Sequence, residues 1–216
     1  MAPVDVYNMA LAHIGVFKNL VASTAEQSKQ AIMCSLFYDI SRLYTLREFP
    51  WGFAEKRVTL ADLGTAPQNW AYAYAYPADC IMARTITIPG LRNPRVGQAI
   101  PFHTSNDGVN GKVILTDQTP AELIYTTDIT DLELWDPIAV TALSFQLASR
   151  LIMPLSMDPK LVQVMSQNYL MEVSKAAASM LNENQPDPDP TGTFIAARGI
   201  IGGYPPDQPF NTTVLS

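Results

Sequence analysis

The 216-residue sequence predicts an α+β fold. It is a four-helix bundle with an antiparallel β-sandwich or barrel domain inserted between helices two and three, followed by an extended C-terminal arm. Three observations predict it. Apolar residues recur at helical spacing before residue 50 and again after residue 131. Between 51 and 130 the period falls to two and turn residues become dense. From 186 to 192 the chain reads PDPDPTG, and alternating Pro and Asp favour extended backbone. The expected domains are residues 1–50 with 131–185, residues 51–130, and the arm at 186–216.

Pro3 suits the first turn of a helix, Val6, Ala10 and Ile14 follow at steps of four, and Gly15 ends the run. Ser23 to Glu26 reads STAE, a capping box expected to open a second helix. On that helix Ile32, Leu36, Ile40 and Leu43 share a face with Met33, Phe37 and Tyr44 beside them, and this face is expected to be buried. Pro50 stops it. Strands are expected over 53–60, 70–76, 83–88, 96–102, 112–116 and 122–127. Helix returns at WDPIAV, where Asp136 is a natural N-cap and Pro137 a natural first residue. Val140, Leu143, Leu147 and Leu151 then share a face, and Pro154 is expected to end or kink the helix. Asp158-Pro159 repeats the device and opens a last helix with Val162, Met165, Tyr169, Val173, Ala176 and Met180 in register. Because an amphipathic helix must cover its apolar face, the two helical halves are expected to pack on each other.

Charged residues make up 16% of the chain, below the quarter or so usual for soluble domains, and the net charge is -6. Few charges on a soluble chain suggest surface hidden in an assembly. The basic residues are scattered, which argues against a phosphate-gripping surface. Cys34 and Cys80 are too few for a disulfide framework and are expected to be core thiols in a cytosolic setting. Met1 to Ile14 has no basic n-region, so no signal peptide is expected, and no apolar run reaches a membrane span.

No catalytic, cofactor-binding or metal-ligating set is expected. The two histidines, His13 beside the apolar face of the first helix and His103 at a strand end, match no metal-ligand spacing. Asp128, Asp131, Glu133 and Asp136 lie close in sequence, and paired carboxylates can serve as acid and base. They also straddle a turn and a helix start, where Asp belongs for local hydrogen bonding. The run NWAYAYAY places Trp70, Tyr72, Tyr74 and Tyr76 at period two. Stacked bases would want interleaved Arg or Lys, and residues 68–82 contain none. The four aromatics are therefore a bulky strand face, half buried or at a candidate subunit interface. The arm carries Phe194, Ile195, Ile200, Ile201, Tyr204 and Phe210 among glycines and prolines, which is too apolar for a solvated linker.

Four stretches together resemble the head-to-tail adaptor (head-completion, or tail tubular A-like) proteins of tailed bacteriophages. They are NMALAHIGVFKNLVASTAEQSKQA, FYDISRLYTLREFPWGFAEKRVTL, WAYAYAYPADCIMAR and YTTDITDLELWDPIAVTALSFQLASRLIMPL, spanning most of residues 3–185. The resemblance implies a non-enzymatic ring protein of the virion, made in the host cytoplasm. Such proteins assemble, commonly as twelve copies, beneath the portal protein. They extend the channel through which double-stranded DNA passes without sequence-specific binding, and they meet the next tail component, a nozzle or tail tube. It implies that the apolar arm residues dock on the portal or on a neighbouring copy. No cofactor and no membrane are implied. Two alternatives are a tail-tube or nozzle component and, in a different class, a small hydrolase using Asp128, Asp131 or Glu133.

Overall fold

Each helix begins where a local device satisfies its first free N–H groups. The computed structural model describes residues 1–17, 20–91, 100–156 and 158–183, and Met1–Glu183 form one compact unit. The chain is α+β, with four helices and two three-stranded antiparallel sheets. Helix α1, Pro3–His13, starts on proline, and the Asp5 carboxylate accepts from Ala2 N at 2.8 Å. It ends through Gly15 at φ +81, a conformation glycine adopts at no steric cost, with Val16 N donating back to Leu11 O at 2.9 Å.

Helix α2, Lys29–Glu48, begins later than the STAE motif predicts. Ser28 is its N-cap and accepts from Ala31 N at 3.3 Å. The motif closes a turn of its own: Glu26 Oε2 accepts from Ala22 N at 2.9 Å and Ser23 Oγ from Ala25 N at 3.2 Å. Side-chain hydrogen bonds of this type serve a turn as well as a helix end. Asn8 of α1 exchanges two hydrogen bonds with the backbone of Val21, at 2.8 and 3.0 Å, and so holds this connection down.

After Trp51 a single 3-10 turn, Gly52–Ala54, leads into β1, Glu55–Thr59. The further strands are β2, Tyr72–Ala75; β3, Cys80–Thr87; β4, Phe102–Asn106; β5, Lys112–Thr116; and β6, Glu122–Thr127. One sheet has the order β1-β6-β3, the other β2-β5-β4. Single bridges, Asp62 to Tyr74 and Ile86 to Ile100, join them at two corners. The strand expected over 96–102 is displaced: β4 starts only at Phe102, and residues 96–99 lie outside the described residues. Asn106 to Gly111, read as a separator, does make the turn between β4 and β5, with Asp107 Oδ1 accepting from Val109 N and Asn110 N.

Helix α3, Pro137–Leu155, opens as expected: Asp136 Oδ1 accepts from Ile138 N at 2.7 Å. It ends one residue past Pro154. α3 touches α1, α2 and α4. Its residues Val140, Leu143, Leu147 and Leu151 are buried in the larger core with Val6, Leu11, Leu46 and Trp135. Contrary to the sequence expectation, α3 is long and apolar enough to cross a membrane by length and composition alone; half of that window is buried against protein. Helix α4, Pro159–Glu183, is announced by Asp158 Oδ1, which accepts from Lys160 N at 2.9 Å, and it buries Met165, Tyr169 and Ala176.

Candidate protein interaction surface

The largest departure from the sequence reading lies on α2. Ile32, Leu36, Ile40 and Leu43 face outward, with Leu36 64% and Ile40 53% exposed. At 3.6 residues per turn these four fall within an arc of about 80° and rise over about 16 Å. Tyr44 flanks them and is also exposed. The inward face is made of Ala31, Cys34, Tyr38, Ser41, Arg42, Thr45 and Leu46. Small side chains at 31, 34, 41 and 45 let α2 approach α3 closely.

Arg42 can be turned inward because a carboxylate waits for it. Its guanidinium is 94% buried and forms an ion pair with Asp128, just past β6, and Arg42 Nη1 also donates to Ile129 O at 3.1 Å. Burial opposes the charge on Arg42, but the Asp128 hydrogen bond and field outweigh it and keep the cation favoured. The residue missed in the sequence was therefore Arg42; the only hint was a basic residue one position off an apolar stripe.

At the N-terminal end of the stripe a shallow hollow of about 310 Å³ is lined by Thr24, Gln27, Ala31, Ile32, Ser35 and Leu36. Lys29 and Arg47, both exposed, stand at the two ends of the stripe. Arg47 Nη1 also donates to Ile81 O at 3.4 Å. The acids nearby are Asp39, 3.6 Å from Arg42 Nε, and Glu48 at the helix end. Contiguous apolar side chains rimmed by charge are the signature of a contact surface.

The aromatic run divides between two faces. Tyr74 is 2% exposed in the β core, with Tyr72 and Tyr76 packed partly buried beside it, and its hydroxyl donates to Gln118 O at 2.9 Å. Trp70 leaves the alternation and packs on the opposite face with Ala73, Val113 and Leu115. Tyr74 is thus spent inside the β region, and Trp70, Tyr72 and Tyr76 keep only part of their surface. Phe194, Ile195, Ile200, Ile201, Tyr204 and Phe210 lie outside the described residues.

The residues that could carry chemistry are engaged locally. His13 Nε2 sits 3.1 Å from Ser144 Oγ, whose proton goes to Thr141 O at 2.7 Å, and the imidazole stacks on Phe145. Burial holds the His13 pKa below the usual imidazole range, and Ser144 is fully buried, out of reach of a substrate. Asp131 accepts from Glu133 N at 2.9 Å and starts the 3-10 turn Leu132–Leu134. Glu133 is exposed, 3.5 Å from the terminal amine. Asp128 holds Arg42 and Asp136 caps α3, so the structure gives the four carboxylates four separate partners. His103 is exposed on β4. Among the described residues, no group of three or more His, Cys, Asp or Glu is placed to hold a metal ion.

The PADC stretch has a structural use. The Asp79 carboxylate accepts from Lys56 Nζ at 2.6 Å, Tyr125 OH at 3.0 Å and Thr127 Oγ1 at 3.0 Å, and the Lys56 hydrogen bond leads in holding its pKa below the usual range. Burial pushes the Cys34 thiol up to about 12 and raises that of Cys80 as well. Since the thiolate is the nucleophile, Cys34 is expected to resist an aromatic disulfide reagent at pH 8 until the chain unfolds, while half-buried Cys80 reacts first. Timed absorbance in buffer and in urea checks this; equal rates for both thiols in buffer would contradict it.

No protein-family model matches the chain, and no curated protein matches it.

Proposed function

We propose that this chain is a structural head-to-tail adaptor of a tailed phage, acting by assembly and catalysing nothing. Commonly twelve copies form a ring beneath the portal protein, lengthen the DNA channel and present a surface to the next tail component. In this reading residues 1–50 and 131–185 are a four-helix bundle, 51–130 an inserted β barrel, and 186–216 a docking arm. The corner bridges Asp62–Tyr74 and Ile86–Ile100 support a closed barrel, because they supply the two joins that the separate sheets lack. The resemblance quoted above points to this class. The observation that carries the reading is the outward apolar stripe of α2, a face that a solitary soluble helix would not leave uncovered. The acidic balance of the chain suits a ring through which duplex slides without being gripped.

The test is negative-stain imaging of the full chain with its cognate portal, beside a chain lacking residues 186–216. Ring density under the portal for the full chain, and a folded but unattached truncated chain, is the expected result. A full chain that stays solitary beside the portal overturns the adaptor reading. A truncated chain that docks normally overturns only the role of the arm.

A further inference from the structure

We propose that the outer face of α2 receives an amphipathic helix from a different protein, one whose apolar stripe is bracketed by acidic side chains. Three features carry this. The stripe Ile32, Leu36, Leu43 and Ile40 is straight and about 16 Å long, which matches three turns of a partner helix. The hollow of about 310 Å³ beside Ile32 and Leu36 accepts one apolar side chain as an anchor. Lys29 and Arg47 place a positive charge at each end, while Asp39 beside the stripe is drawn toward Arg42.

The same charges argue against a second copy as the occupant. Two α2 stripes paired antiparallel bring Lys29 onto Arg47; paired parallel, they bring each cation onto its own kind. Either arrangement sets like charges together at both ends. A second exposed apolar set, Val164, Leu170 and Met171 on α4, is flanked by Lys160 and Lys175, so it repels the ends of α2 too, although Lys175 is paired with Glu172 at 2.6 Å. An apolar helix with acidic ends meets all three features at once. This inference goes beyond the adaptor reading and does not require a ring.

The probes are two synthetic helical peptides of about 18 residues with leucines at i, i+4, i+8 and i+11, one ending in glutamates and the other in lysines. Fluorescence anisotropy against the full chain is expected to show the glutamate peptide binding roughly tenfold tighter, with the advantage shrinking as salt is raised. Reversing both cations, Lys29→Glu with Arg47→Glu, is expected to invert the preference. Leu36→Asp is expected to abolish binding while leaving the thermal melt in place; if it unfolds the chain, Leu36→Ser with Ile40→Ser replaces it. Equal affinity for the two peptides, or a preference unmoved by charge reversal, overturns the proposal. So does sedimentation showing that the free chain self-associates and that Leu36→Asp makes it monomeric. The assay uses neither ring nor portal, so its failure leaves the portal test of the adaptor reading standing.

Discussion

Leu147→Ala is expected to lower the stability of the folded chain by about 3–5 kcal/mol, measured by urea unfolding at constant m-value. Leu147 is fully buried on α3 and packs in the core to which α1, α2, α3 and α4 all contribute. Removing its isobutyl group costs the transfer term, and the cavity adds to it because elements on several sides would have to move to close the gap. The matched control is Leu36→Ala, the same change on an outward face, expected within about 0.5 kcal/mol of the parent. A loss under about 1 kcal/mol at Leu147, or a comparable loss at Leu36, would contradict the assignment of inner and outer faces.

Asp128→Ala carries the second large effect, a destabilisation of about 2–4 kcal/mol that added salt does little to reduce. The change leaves the Arg42 guanidinium in the core with only the Ile129 carbonyl and, at 3.6 Å, Asp39. An unpaired buried charge costs more than a missing pair, so Arg42→Met combined with Asp128→Ala is expected to be more stable than Asp128→Ala alone. Thermal melts of the three variants decide it. If the double variant is the least stable, Arg42 contributes through packing of its methylenes and not through the ion pair.

Much of the local structure was legible because its causes are local. Asp136-Pro137 and Asp158-Pro159 each supply an acceptor for a free N–H and a preset φ within three residues, and both helices begin there. Strands β5 and β6 have the expected limits, since turn residues bracket each apolar run. The STAE motif misled because its hydrogen bonds close equally well in an isolated turn. Trp70 misled because alternation holds only inside a strand, and β2 starts at Tyr72. The roles of Asp79 and Arg42 had no local signal; their partners Tyr125 and Asp128 are 46 and 86 residues away in sequence.

The sequence by itself determined that α2 is a helix and that Ile32, Leu36, Ile40 and Leu43 lie in one line, since a repeat near 3.6 allows no other placement. Only the tertiary structure decided that this line faces outward. Two faces competed for α3. The less apolar one won because its small side chains permit close backbone approach and because a distant carboxylate neutralises the arginine among them.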